Sequence, residues 1–388
     1  MHNVRPVYLD NNATTRMDPA VFEAMRPWFM DHYGNAASNT HVFGWEAREA
    51  VDDARERTAS LIGARPNEII FTSGATESVN LALKGAAGYH AAKGKHIITC
   101  ATEHKAVLDT CHSLSQRGFD LTIIPVDGFG MIDLAALESA IRPDTILLAF
   151  MYANNETGLL HPVRAIASCA QKHDILFFCD ATQAVGKIPV DVDLDGMDMM
   201  AFSAHKIHGP KGSGALYVRR RPQLVHLVAQ MDGGGHERGF RSGTLNVPGI
   251  VGLGAACEMC RDRMDEDGRR ITLLRDRLES SLLSIPGTAL NGHPSSRLHN
   301  VTNISFRDVE GQALVLALSN HVAVSTGSAC SSVLQEPSHV LKAMGVEDDL
   351  ARSSIRFSLG RFTTNDDITY VIEKVRYVIA DFQKSDPN

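Results

Sequence analysis

Between about residue 45 and residue 220 the chain alternates continuous apolar runs with stretches of helical periodicity, a pattern few architectures can accommodate. The runs are Ile69-Ile70-Phe71, Ile97-Ile98-Thr99, Leu121-Thr122-Ile123-Ile124, Ile146-Leu147-Leu148-Ala149-Phe150 and Ile175-Leu176-Phe177-Phe178-Cys179. Because none alternates apolar with polar residues, each predicts a strand covered on both faces, and the segment reads as βα units on a mostly parallel sheet. The first clear helix has Ala47, Ala50, Val51, Ala54, Leu61 and Ile62 at three- and four-residue steps, with Arg48, Asp52, Asp53, Arg55 and Glu56 on its other faces.

A chain of 388 residues exceeds what one core usually organises, so a second, smaller domain is expected. After Gly233-Gly234-Gly235 a helical region runs over about 247–283. Strand-like Asn303-Ile304-Ser305-Phe306 and Ser354-Ile355-Arg356-Phe357 follow, giving an α+β unit. The charged run Arg261-Asp262-Arg263 through Glu266-Asp267-Gly268 places the boundary: 16–265 for the large domain, 1–15 with 266–388 for the small one.

A formal charge of -7, with Arg219-Arg220-Arg221 as the one basic cluster, argues against a nucleic-acid partner. No apolar stretch approaches the roughly 20 residues needed to span a bilayer, so no membrane association is expected. The opening Met1-His2-Asn3-Val4-Arg5 lacks the look of a transit peptide, and an odd set of seven cysteines follows no secretory segment, which fits a reducing cytoplasm. Cys100, Cys111, Cys169 and Cys179 sit within or beside apolar segments and read as packing. Cys257-Glu258-Met259-Cys260 also reads as helix packing, since it lacks the second pair of a zinc site and the context of a redox site.

Three stretches carry chemistry. Ser73-Gly74-Ala75-Thr76-Glu77-Ser78 follows a strand and opens a helix, so free amides and a hydroxyl can cradle a phosphate; an ordinary helix cap is the competing reading. Asp180 ends an apolar strand, where ligands collect in α/β sheets, and either pairs with a cation such as a protonated pyridine nitrogen or caps the next helix. Ser203-Ala204-His205-Lys206-Ile207-His208-Gly209-Pro210-Lys211-Gly212 follows the apolar run Met199–Phe202. There Ser203 and His205 can reach a phosphate while Lys206 meets an aldehyde, because a lysine amine forms an imine and afterwards serves as a base. Gly209-Pro210 breaks the helix that a His205/His208 metal pair would want, and the glycine order departs from that of a nucleotide P-loop. No intrinsic metal site is expected.

Taken together, Asp10-Asn11-Asn12-Ala13-Thr14-Thr15, Thr102-Glu103-His104, Asn154-Asn155-Glu156-Thr157-Gly158, Asp180-Ala181-Thr182-Gln183 and Ser203–Lys206 resemble the cysteine desulfurases. Gly234–Gly239, Arg241-Ser242-Gly243-Thr244, Ser325-Thr326-Gly327-Ser328-Ala329-Cys330 and Ile355–Leu359 extend the resemblance over nearly the whole chain. It implies the fold type I of pyridoxal-phosphate-dependent transferases, the class V aminotransferase fold, with a mostly parallel seven-stranded sheet in the large domain. It also implies pyridoxal 5'-phosphate as cofactor, held as a Schiff base by Lys206, with Asp180 at the ring nitrogen, Gln183 at the ring hydroxyl and His104 stacked on the ring. Ala75, Thr76, Ser203 and His205 would hold the phosphate, joined by Thr244 from the partner subunit of a homodimer. Asn155, which would also contact the cofactor, and Arg356 would grip the substrate carboxylate, and the bidentate guanidinium fork suits that task.

The Ser/Gly/Ala-rich composition around Cys330, over about 325–337, predicts a flexible exposed loop. By the resemblance, Cys330 takes sulfur from L-cysteine as a persulfide, leaves alanine, and passes sulfur on for iron–sulfur cluster assembly or other sulfur-containing biomolecules, where it could contact a transient cluster. Lys206 and His104 would move the protons. Ala36 stands where the family usually has proline, Gln223-Leu224-Val225-His226 replaces a more arginine-rich stretch, and the chain stops soon after Phe382, so the acceptor's identity stays open. A selenocysteine lyase, an aminotransferase of the same fold and a non-catalytic scaffold are the rival readings.

Overall fold

The computed structural model describes residues 5–307, 309–326 and 337–385, and Cys330 lies outside them. β1 (Val7–Tyr8) precedes the strands of the central sheet: β2 (Ile69–Thr72), β3 (His96–Cys100), β4 (Asp120–Ile124), β5 (Thr145–Met151), β6 (Leu176–Asp180), β7 (Met199–Ser203) and β8 (Gly214–Val218). They form one seven-stranded sheet in the order β2-β8-β7-β6-β5-β3-β4. All pairings are parallel except the two made by β8, which returns antiparallel between β2 and β7.

The continuous apolar runs fill two cores at once. Ile98, Leu148, Phe150 and Phe177 pack on one face, while Ile97, Leu147, Ala149 and Phe178 pack on the other. Successive strand residues point to opposite faces, so a sheet layered by helices on both sides needs apolar residues at every position. The expectation fails at β4. This strand lies at the sheet edge, and its Ile123 is 49% exposed. An apolar run reports strand propensity there, not double burial.

The charged run 261–268 does not interrupt the chain's structure. One helix, Val247–Leu283, runs straight through it. Cys257 and Cys260 on its first half belong to the core under the central sheet, and Ile271, Leu274, Leu278 and Leu282 on its second half belong to a separate core. The charges are the solvated stretch of helix between these two cores. The second core forms around β9 (Thr288–Asn291), β10 (Val301–Phe306) and β12 (Ser354–Ser358), an antiparallel sheet in the order β12-β10-β9, and the helix Asn365–Ser385. β11 (Val322–Ala323) pairs in parallel with β1, which brings the Asp10–Thr15 segment against β12. Among the described residues no helix is long and apolar enough to cross a membrane.

Candidate active site

Because β2, β3, β5, β6 and β7 run in one direction, the turns after them gather along one edge of the sheet, as open α/β sheets arrange their ligand sites. A cleft of about 830 Å³ opens there. Ala75, Thr76, His104, Asn155, Asp180, Gln183, Ser203, His205, Lys206 and Arg356 all line it. Thr244 does not; it is exposed and stands apart from this cleft within one chain.

The phosphate cradle is the N-terminus of the helix Ala75–His90, with Gly74 as its cap residue and no side-chain cap. Among the described residues the amides of Ala75, Thr76 and Glu77 have no acceptor, while Ser78 N donates to Gly74 O at 3.1 Å. A helix N-terminus with free amides favours an anion. Gly74 has φ +154, a glycine conformation, and β8 passes close behind it: a Cβ on Gly214 would sit 2.6 Å from Gly74 Cα. Both glycines are therefore required by the approach of cradle and strand. Glu77 does not cap in the usual way; it accepts from Ser73 N at 2.9 Å and from Arg241 Nε at 2.8 Å.

β7 delivers Ser203, and the short 3-10 turn Ala204–Lys206 presents His205 and Lys206. His205 Nδ1 lies 3.1 Å from Thr14 Oγ1, and its backbone carbonyl accepts from Thr15 N and Thr15 Oγ1. Burial, with Lys206 adding to it, lowers the His205 imidazole to about 4, so it is a neutral ring at ordinary pH. Lys206 Nζ donates to the carbonyls of Asn12 (2.6 Å) and Ala13 (2.8 Å). Burial, then the nearby Arg356 cation, brings this amine down to about 8 against the opposing pull of Asp180 and Asp10. A lysine so poised has a substantial neutral fraction, which an amine nucleophile or a base requires.

Asp180 ends β6, and no helix begins directly after it. Its Oδ1 accepts from Thr182 N at 3.0 Å, while the residue also lines the cleft. His104 caps the helix Lys105–Ser115, its Nδ1 accepting from Ala106 N at 3.1 Å. In the neutral ring the proton is therefore on Nε2. Burial lowers its pKa, Asp180 opposes this, and Lys206 and His339 reinforce it. Behind it, Glu103 is buried with Oε1 accepting from Met151 N at 2.6 Å, and burial holds its carboxyl well above the usual range.

The substrate wall comes from distant segments. Arg356 on β12 donates from Nη2 to Asp10 Oδ1 at 2.7 Å and from Nη1 to the Asn155 carbonyl at 3.0 Å, and its Nε has no partner among the described residues. Asn155 sits in a turn closed by Asn154 Oδ1, which accepts from the amides of Glu156 and Thr157. Ser325 pairs backbone to backbone with Arg356, so the described chain just before Cys330 lines the cleft. Just after it, Ser338 donates to the buried Glu156 Oε2 at 2.5 Å and His339 Nε2 donates to the Glu103 carbonyl at 3.0 Å.

Three participants carry no role in the sequence reading. Asn12 holds Lys206, His339 faces the cleft, and Lys187 ties Gln183. Asn12 lies inside a quoted motif, yet nothing in its spacing reveals what it bonds. His339 reaches the site only through the tertiary fold. The six cysteines among the described residues are free, and burial pushes the thiols of Cys100 and Cys111 up to about 12, leaving them unreactive. Among the described residues no group of three or more His, Cys, Asp or Glu is placed to hold a metal.

An anion cradle, a carboxylate, a neutral imidazole and a lysine with a lowered pKa around one cleft fit the chemistry of pyridoxal phosphate, whose phosphate, ring nitrogen, ring face and aldehyde would each call for one such group. Comparison with known proteins agrees. Residues 7–371 match the aminotransferase class-V family. The cysteine desulfurase IscS of Anaeromyxobacter sp. (strain K) is 55% identical over 376 residues, covering 96% of this chain and 93% of the relative. The human cysteine desulfurase is 50% identical over 372 residues, covering 96% of this chain and 81% of the relative. A solved NifS-like protein superposes with a TM-score of 0.91 at 39% identity, covering 97% of this chain and all of that one. The chain belongs to the class-V aminotransferase family of enzymes and, within it, to the cysteine desulfurases.

Proposed function

We propose that this chain takes sulfur from L-cysteine, releases L-alanine, and holds the sulfur as a persulfide on Cys330. The observation that carries the reading is Lys206, an amine lowered to about 8 beside a free-amide anion cradle in the same cleft. Pyridoxal phosphate, when bound there, supplies an electron sink for the pair left behind when the substrate Cα gives up its proton.

The chain's residues do the rest. The amides of Ala75, Thr76 and Glu77, with Thr76, Ser203 and His205, would hold the phosphate. Asp180 would face the ring nitrogen, Gln183 the ring hydroxyl and His104 the ring. Arg356, with Asn155 beside it, would bind the substrate carboxylate, which competes with Asp10 for the guanidinium. Lys206 would accept the Cα proton, and His104 would move a proton near the substrate thiol. The Cys330 thiolate attacks the substrate sulfur: an S–S bond forms, the Cβ–S bond breaks, and its electron pair ends as a new C–H bond of alanine. Cys330 lies five residues beyond Ser325, which lines the cleft and so tethers it to this chemistry.

The assembly belongs to the same proposal. Exposed Thr244 would reach the phosphate of a second copy in a homodimer, the acceptor would be a protein that uses sulfur for iron–sulfur assembly, and the site of action would be the cytoplasm. The division into 16–265 and the remainder is supported by the switch of cores between Cys260 and Ile271 on one helix. The test is to purify the chain with pyridoxal phosphate, add L-cysteine, and measure alanine and persulfide together in the wild type and in Cys330→Ala. Both should be yellow, and only the wild type should form persulfide. A colourless wild type, or undiminished alanine from Cys330→Ala, overturns the assignment.

A further inference from the structure

A second imidazole faces the cleft with His104, and no step of the proposed reaction uses it. His339 opens the short helix His339–Ala343, whose Val340 and Leu341 are buried in a small core with Met344 and Ala351. Ser338 caps that helix at Leu341 N and donates to the buried Glu156, so the backbone under His339 is held on both sides. The ring is fixed in turn by the carbonyl of the fully buried Glu103, 3.0 Å from Nε2. His339 lies between His104 and Glu156, close enough for its charge to act on both, and Glu156 follows the Asn155 of the substrate wall.

The two rings are locked in opposite tautomers. A carbonyl can only accept, so His339 carries a proton on Nε2, and the neutral ring keeps its lone pair on Nδ1. His104 accepts from Ala106 N through Nδ1, so its proton is on Nε2. Reversing either tautomer would break a hydrogen bond to the backbone. Among the described residues nothing bonds His104 Nε2 or His339 Nδ1, so the cleft is offered one donor and one acceptor. A neutral thiol matches such a pair, because its S–H donates while its sulfur accepts. With an ordinary pKa of about 8.5 a thiol keeps its proton near neutral pH, whereas the more acidic selenol is there an anion with no proton to give. A selenolate can accept from His104 but would meet the His339 lone pair, an acceptor left unpaired against the wrong substrate.

We infer that His339 is a specificity-determining residue: its Nδ1 accepts the S–H of a neutral substrate thiol and so favours L-cysteine over L-selenocysteine. The S–H bond is held rather than broken, so the proton stays on the sulfur while the S–S bond forms and the Cβ–S bond breaks. This rests on placing the substrate between Lys206 and Arg356, so the first readout needs neither cofactor nor turnover. Full-length cofactor-free protein, isotope-labelled at its histidines, is observed by nitrogen NMR at about pH 7.5, above the ordinary imidazole value of about 6.5. The His339 signals, assigned by their loss in His339→Gln, should show a protonated Nε2 and a bare Nδ1. The reverse tautomer overturns the inference.

In the holoenzyme, alanine release from L-cysteine and from L-selenocysteine under reducing conditions gives the ratio of their kcat/KM values. His339→Gln keeps a donor for the Glu103 carbonyl but places no acceptor where Nδ1 stands. The cysteine-to-selenocysteine ratio should therefore fall about tenfold, chiefly through cysteine. His339→Phe keeps a planar ring without a lone pair and, if His339→Gln does not fold, carries the same expectation. A ratio that stays at the wild-type value, even where both rates fall together with the melting temperature, marks a merely structural histidine and overturns the inference. If His339 shows the expected tautomer but wild type releases alanine from neither substrate, the functional reading fails instead, and the two failures are distinguishable.

Discussion

The two walls of the cleft are built by opposite strategies. The cofactor wall, from Ser73 to Lys206, consists of turns that leave the carboxyl ends of neighbouring strands, so each residue is placed by the strand immediately before it. The substrate wall joins Asp10, Asn155, Ser325, His339 and Arg356, partners such as Arg356 and Asp10 being 346 positions apart in sequence. One wall inherits its geometry from a sheet with cores on both faces; the other depends on how a second core docks beside it. Damage to the first should therefore act on cofactor retention, and damage to the second on substrate affinity.

The largest expected effect is on the cofactor wall. Gly214→Ala would drive a Cβ into Gly74 Cα, and relieving that contact displaces the cradle backbone. An overpacked site of this kind costs about 1–3 kcal/mol, so pyridoxal phosphate affinity should fall about 10- to 100-fold by equilibrium titration. The strand order predicts that KM for L-cysteine in the saturated variant changes little. A KM defect as large as the cofactor defect would break the separation of the walls.

On the opposite wall, Arg356→Lys keeps the charge but loses the fork that meets Asp10 and Asn155 at once. Losing one charge-assisted hydrogen bond is worth about 1.5–3 kcal/mol, so KM should rise about 10- to 100-fold, with about 30-fold a central expectation. Cofactor affinity should stay near wild type.

Legibility in the sequence follows the same division. The strands, the cradle at Ser73–Ser78, Asp180 and Lys206 are local: apolar runs and the breaks after them specify each one, so the order of residues alone is enough to place them. Asn155, Arg356 and Thr244 enter only through family resemblance, because no spacing rule connects them. Asn12, Lys187 and His339 carry no signal at all. Their significance lies in whom they bond across the fold, and a polar residue in a turn looks the same whether or not it holds a lysine. The exposure of β4 escapes the sequence for a related reason: a run of apolar residues specifies a strand but not its position in the sheet.

The lowered amine of Lys206 gives the cofactor wall a pH signature. Only the unprotonated amine can react with an aldehyde, and its pKa of about 8 places the change within the accessible range. The rate of pyridoxal phosphate uptake by cofactor-free protein should rise about tenfold per unit at pH values well below the midpoint and flatten above it. The sign is that of a base: protonation as pH falls removes the reactive form. A profile that keeps rising toward the ordinary lysine value would show that burial and Arg356 do not lower this amine.

The smallest effect tests how firmly the substrate wall is docked. Ser338→Ala removes the hydroxyl that donates to the buried Glu156 and caps the helix His339–Ala343 through Leu341 N. Glu156 is already pushed toward its neutral form by burial, and Ser338 opposes that push, so the variant should leave the acid more firmly protonated rather than as an unpaired charge. The cost is then that of one hydrogen bond and one cap, about 1–3 kcal/mol, and it should appear as faster amide exchange in the helix His339–Ala343. Because His339 bonds the Glu103 carbonyl independently, the helix keeps a second attachment to the cofactor wall, and KM should rise only about threefold. A loss of cofactor in this variant would mean that the two walls are coupled through His339 and Glu103.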